Sequence, residues 1–199
     1  MKFVLCKFIF LISIWPCLSF SAESKSSGHK LLLLDANALF GWGSSKIATD
    51  TSIPSIGSFN LGLNVGANIK KFSLGASYDY RILTQYSSID PTVGNRRGNL
   101  ITPLSVFVRL NFEKIRFGLS LVTSGTYEMT DKTSTGQSLS YLNPSGFRFE
   151  IILKKFPRAT PMFFYETIGF STKSVDGFQS ALSDKLTYTS FGVGAKYEF

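Results

Sequence analysis

The sequence predicts an all-β chain, an eight-stranded antiparallel up-and-down barrel closed inside a membrane, and three observations carry that expectation. Apolar residues alternate with polar or small ones at period two along most of the chain, the pattern of strands with one face in each of two environments. The connections between these runs are short and long by turns. The chain also stops at Phe199 inside such a run, although chain ends fray unless something ties them down.

The first 21 residues stand apart. In "MKFVLCKFIFLISIWPCLSFSAES", Lys2 and Lys7 lead, an apolar run extends from Phe8 to Trp15, and small residues follow from Ser19. That order makes a secretory signal peptide, too short for a spanning helix of about 20 apolar residues. Cleavage after Ser21 puts small Ser19 and Ser21 at the two positions that must be small. Cleavage after Ala22 would put bulky Phe20 at one of them and is the less favoured bond. Residues 22–30 then form a periplasmic entry segment and 31–199 the barrel.

Removing the leader changes the chemistry on offer. Cys6 and Cys17 both fall within it, so the mature chain has no disulfide framework, thiolate metal site or cysteine nucleophile. Bulky Trp15 and Pro16 before Cys17 argue against a lipoprotein. Without Lys2 and Lys7, the 21 basic residues fall to 19 against 13 acidic ones, leaving +6. No lysine and arginine cluster is longer than a pair, which argues against nucleic acid as a partner.

Eight strands are expected at about 31–42, 57–69, 72–83, 100–112, 115–125, 145–153, 161–171 and 186–199. The first, "LLLLDANALFGW", opens as a continuous apolar run. The second places Phe59, Leu61, Leu63, Val65, Ala67 and Ile69 on one face, and Ser58, Asn60, Gly62, Asn64, Gly66 and Asn68 on the other. The third repeats this with Phe72, Leu74, Ala76, Tyr78, Tyr80 and Ile82 against Ser73, Gly75, Ser77, Asp79 and Arg81; only Lys70 and Lys71 separate it from the second, as in a tight hairpin. Phe107 interrupts the polar face of the fourth, and Glu113 and Lys114 turn it into the fifth. The sixth sets Phe147, Phe149, Ile151 and Leu153 against Arg148, Glu150 and Ile152. The seventh, "PMFFYETIGF", carries aromatics on both faces, and the eighth sets Phe191, Val193, Ala195, Tyr197 and Phe199 against Ser190, Gly192, Gly194, Lys196 and Glu198.

Short connections lie at 70–71, 113–114 and 154–160, and long polar ones at 43–56, 84–99, 126–144 and 172–185. Short periplasmic turns and four long outer loops, an even strand number and both termini on the periplasmic side make the rhythm of an outer-membrane barrel. Hydrocarbon offers no partner to a backbone N–H or C=O, so strands can cross only by closing on themselves.

The final ten residues resemble the recognition signal of small bacterial outer-membrane β-barrels: terminal Phe199, then Tyr197, Ala195, Val193 and Phe191 on one face. By size and strand count the chain is similar to the transmembrane domain of outer-membrane protein A and to outer-membrane protein X. The resemblance implies that the barrel-insertion machinery reads this last strand and that periplasmic chaperones hold the chain in transit. It also implies outer-membrane lipids, including lipopolysaccharide, as surroundings. Aromatics near the short turns (Phe72, Phe112, Phe117, Tyr197, Phe199) and near the long loops (Phe40, Trp42, Tyr78, Tyr80, Phe147) suit two interfacial girdles.

The inward face is unusual in its charge. Asp35, Asp79, Glu150, Glu166 and Glu198 face Arg81, Arg109, Arg116, Arg148 and Lys196. Eight strands leave an interior just wide enough for side chains, so these charges are expected to pair and fill it, with Glu166, Arg148 and Glu150 at the centre. In the "VGNRRGN" loop, Arg96 and Arg97 could pair with lipopolysaccharide phosphates. Lys70, Lys71, Lys114, Lys154, Lys155 and Arg158 gather at the short turns, facing inner-leaflet headgroups.

No cofactor and no metal is expected. The single histidine, His29, precedes the first strand, far from the outer leaflet where a lipid A-modifying base would act. Asp90, Asp131, Asp176 and Asp184 are scattered and make no calcium-loop pattern. The favoured reading is a non-enzymatic barrel with a plugged lumen, whose outer loops serve surface interaction or envelope structure. A narrow pore or small-solute transporter is the first alternative and a lipid A-modifying enzyme the second. A soluble ligand-carrying barrel would need the two faces exchanged.

Overall fold

The computed structural model describes residues 31–47, 55–86, 96–130, 136–154 and 159–199. The signal peptide, the entry segment with His29, the residues Asp90 and Asp131, and the turn residues Lys155 and Arg158 lie outside these. Eight strands follow in order: β1 (Leu32–Ile47), β2 (Ser55–Ile69), β3 (Phe72–Tyr86), β4 (Arg96–Asn111), β5 (Ile115–Met129), β6 (Leu139–Leu153), β7 (Ala159–Val175) and β8 (Phe178–Glu198). Each pairs antiparallel with the next, and β1 pairs with β8, so the barrel is closed.

The register sets its shape. A path of paired residues from Asp35 through Asn64, Ser77, Ser105, Val122, Gly146, Ile168 and Tyr188 returns to β1 at Ser45, ten residues beyond its start. With eight strands that stagger tilts each strand by about 40° and gives an axial rise of about 2.5 Å per residue.

The outer wall carries a continuous apolar band. It begins at Ile69, Phe72 and Phe112 by the short turns, runs through Leu63, Leu74, Val106, Leu119 and Val193, and ends at Phe40, Trp42, Tyr80 and Phe191. Its height is about 25 Å, that of a barrel's lipid-facing band. Aromatics gather at both rims, where amphipathic rings suit the boundary between hydrocarbon and headgroups.

Beyond the outer rim, the faces exchange character without losing period two. On β7, inward Glu166 gives way to Ile168 and Phe170, while outward Phe163 and Tyr165 give way to Thr167 and Gly169. On β3, inward Asp79 and Arg81 are followed by Leu83. On β8, Ser190 is followed outward along the barrel by Tyr188 and Leu186. Within the band the barrel is polar inside and apolar outside; above it the wall surrounds a core of Ile56, Leu83, Val122, Tyr127, Tyr141, Ile168, Phe170, Leu186 and Tyr188. That section is built like a water-soluble barrel.

This exchange corrects the expected strand ends and loops. Alternation with apolar residues outward ends at the outer rim, so the expected strands stop there while the observed ones continue. The segment 172–185, expected as a long loop, is instead the paired top of β7 and β8, closed by Asp176 and Gly177. Their φ values of +50° and +90° suit a tight hairpin turn, for which Asp-Gly is a favoured pair. β8 is 21 residues long and rises about 50 Å, twice the height of the band.

Candidate functional site in the barrel lumen

Seven of the eight strands send charged side chains inward, and register sorts them into two tiers. The tier nearer the loop end holds Asp79 and Arg81 of β3, Arg148 of β6 and Glu166 of β7, all buried. Asp79 Oδ2 accepts from Arg81 Nη2 and from Arg148 Nη2, each at 3.0 Å. Glu166 Oε2 accepts from Arg81 Nη1 at 2.7 Å and Arg148 Nε at 3.1 Å. Two carboxylates and two guanidiniums thus close a ring of charge-assisted bonds, the stronger class of hydrogen bond. Tyr188 donates its hydroxyl to Glu166 Oε1 at 3.1 Å, and Ser190 lies 3.3 Å from the same oxygen. Gly62, paired with Asp79 across β2 and β3, leaves room for that carboxylate: a Cβ there would lie 2.3 Å from Asp79 Oδ1.

The tier nearer the turns holds Asp35 of β1, Arg109 of β4, Glu150 of β6 and Lys196 of β8. Asp35 accepts from Arg109 Nη1 at 2.8 Å and from Asn64 Nδ2 at 2.5 Å, and lies 3.4 Å from Lys196 Nζ. Glu150 Oε2 stands 3.5 Å from both Arg109 Nε and Lys196 Nζ. Arg148 joins the tiers through a 3.7 Å contact with Glu150. At the mouth, Arg116 pairs with Glu198, whose side chain is 42% exposed. All ten charged residues expected inside therefore stand in ion pairs with one another. Isolated buried charge would be very costly, which is why each acid is matched by a base.

Apolar side chains fill what the charges leave. Leu39, Ile152, Met162 and Phe164 form an inward patch on the β6–β8 and β1 side, against the bare glycines of β8. This accounts for the aromatics on both faces of β7. Phe107, which broke the polar face of β4, also turns inward, with the Arg109 guanidinium carbon 4.1 Å from its ring centroid. The sequence places Asn64 and Ser190 on the polar faces of their strands without a partner, and the structure supplies one: Asn64 stands directly opposite Asp35 across β1 and β2. Tyr188 was not expected inside, although it lies an even number of residues from Lys196 on the same strand.

The C-terminal residues Phe191, Val193, Ala195, Tyr197 and Phe199 all lie exposed on the outer wall. Phe191 pairs with Trp42 and Tyr197 with Ala36 across the β1–β8 seam, and the Phe199 N–H donates to the Leu34 carbonyl at 3.1 Å. Arg96 and Arg97 begin β4 instead of occupying a loop, paired with Gln85 and Thr84; their side chains lie outside the described part.

The closed, tilted eight-stranded barrel with an apolar band and charged interior defines a small outer-membrane-type β-barrel. Solved structures that share the fold include two small barrels. Neisserial surface protein A is matched at a TM-score of 0.52 and 10% identity, over 84% of this chain and 97% of that one. Ail, the attachment invasion locus protein of Yersinia pestis, solved in complex with the heparin analogue sucrose octasulfate, is matched at a TM-score of 0.52 and 15% identity, over 85% and 99%. No family model and no curated protein sequence matches the chain.

Proposed function

We propose that this chain is a non-enzymatic protein of the bacterial outer membrane, with a sealed lumen and an outer end that serves surface interaction or envelope structure. The observation that carries the reading is the double closure of the interior: two neutralised charge tiers within the band and a packed apolar core above them. An ion crossing would have to break paired charges and then enter an apolar core. Every buried lumen carboxylate among the described residues is engaged by a cation, which leaves none of these poised as a general base.

The test is conductance of the purified barrel in planar bilayers. The expected result is a silent membrane; steady ohmic steps would replace this reading with that of a narrow pore.

For the outer end, the described lysines Lys173 and Lys185 lie on the projecting β7–β8 hairpin, and Arg96 and Arg97 begin β4 above the band. Together they suit a polyanion: lipopolysaccharide phosphates, or a sulfated glycan of the kind represented by the ligand in the Ail complex. Retention of the barrel on immobilised sucrose octasulfate, lost in Lys173→Ala/Lys185→Ala, would support this. The exposed face of β8 is proposed to meet the insertion machinery, with periplasmic chaperones acting earlier.

A further inference from the structure

At the turn end, the barrel mouth contains a cavity of about 510 Å³ with Lys70, Lys71, Lys154 and Arg116 in its lining, together with Glu113 and Phe112. The cations converge from three separate hairpins. Lys70, at φ +55°, and Lys71 form the β2–β3 turn. Lys154 follows β6, and its Nζ donates to the Phe112 carbonyl at 2.9 Å, which fixes the ammonium at the rim. The Lys154 N–H also donates to the Lys114 carbonyl at 2.9 Å, tying that residue to the β4–β5 turn. Arg116 is already held by Glu198, whereas the three lysines have no carboxylate partner among the described residues.

Ammonium groups brought together this way repel one another until an anion joins them. The cavity's chemistry narrows the choice of anion. Several donors around one space suit the oxygens of a phosphate. Glu113 supplies one acceptor, suited to an ammonium or hydroxyl beyond the phosphate. Phe112 is half exposed and belongs to the turn-side aromatic girdle, so the lining is continuous with the lipid-facing wall. A free phosphate would make no use of that continuity, but an acyl chain would.

We propose that this cavity is a headgroup site for one phospholipid of the turn-side leaflet, its phosphodiester among Lys70, Lys71 and Lys154, its amine or hydroxyl at Glu113, and its chains over Phe112. The site rests on the reading of the chain as an outer-membrane barrel with its turns toward the periplasm.

The experiment is native mass spectrometry on the barrel purified from outer membranes, delipidated, and offered phosphatidylethanolamine, phosphatidylglycerol or inorganic phosphate. One phospholipid retained per barrel is expected. Lys70→Ala/Lys71→Ala/Lys154→Ala should weaken retention about tenfold to a hundredfold, from three exposed contacts of roughly 0.5–1 kcal/mol each. Replacing the same three lysines by arginine should restore it. Equal retention by the alanine variant, or uptake of inorganic phosphate with no lipid retained, would overturn the site. A gel of heated and unheated samples separates the two levels: a heat-shifted barrel that keeps no lipid sinks only the headgroup site, whereas failure to recover any outer-membrane barrel sinks the placement on which it rests.

Discussion

Removing one charge from the upper tier should cost more than any outward substitution of similar size. Glu166 is buried and accepts from Arg81, Arg148, Tyr188 and Ser190. In Glu166→Gln the shape is kept, but two guanidiniums are left facing the single carboxylate of Asp79 in that ring, with Arg148 having only its longer 3.7 Å contact to Glu150 as relief. Breaking a buried pair from one side typically costs about 3–5 kcal/mol, because the remaining charge stays desolvated. That corresponds to roughly two to three and a half orders of magnitude in the folding equilibrium. Reversible urea unfolding in phospholipid vesicles would measure it, with the fluorescence of Trp42, on the lipid-facing wall, as the reporter. Glu128→Gln, an exposed acid at the loop end of β5, provides the control and should shift stability by less than about 0.5 kcal/mol. A Glu166→Gln cost below about 1 kcal/mol would mean that the ring is not a closed desolvated network, and the argument for a sealed lumen would lose its main support.

Arg116→Gln breaks the ion pair at the mouth, where Glu198 is 42% exposed, and the same unfolding assay should show a loss within about 1 kcal/mol. Phe170→Ala, at 1% exposure in the core above the band, should cost about 3–5 kcal/mol although it touches no lipid. Gly192→Val should prevent sealing of the β1–β8 seam, since its Cβ would lie 1.9 Å from the Phe40 carbonyl oxygen; the heat-shifted band on gels should disappear. Deleting Phe199 should lower the amount of barrel recovered in outer membranes while leaving refolding in detergent micelles intact, as that assay bypasses the insertion machinery.

The strands were legible in the sequence wherever two solvents imposed two faces. β2, β3 and the lower half of β8 alternate cleanly because an apolar band lies on one side and a polar, hydrogen-bonded lumen on the other. Their ends at the outer rim were not legible, because Ile168, Phe170 and Leu83 take over the inward face just where Thr167, Gly169 and Thr84 take over the outward one. A reader tracking one apolar face sees the pattern stop there, although the strand continues. The Asp176-Gly177 pair was the local sign of a hairpin, outweighed by the polar character of its flanks. The charged lumen residues were legible by parity, and the central set of Glu166, Arg148 and Glu150 by the adjacency of the sixth and seventh strands, where Arg148 stands opposite Glu166. The partners across the lumen were not legible: that Arg81 also reaches Glu166 depends on the ten-residue stagger, which follows from closing the circle rather than from any one strand.

The exchange of faces also works as a depth gauge. If the barrel sank by one inward-outward repeat, about 5 Å along the axis, polar Thr189 would be carried down to the level of Phe191, at the edge of the apolar band. If it rose by the same amount, Phe72 and Phe112 would be drawn up from the headgroup boundary. Both displacements are opposed, so the height of the barrel in its bilayer is written into the chain at the residues where inside and outside trade places. The β7–β8 hairpin therefore stands at a fixed distance above the apolar band, raised there by the barrel wall itself.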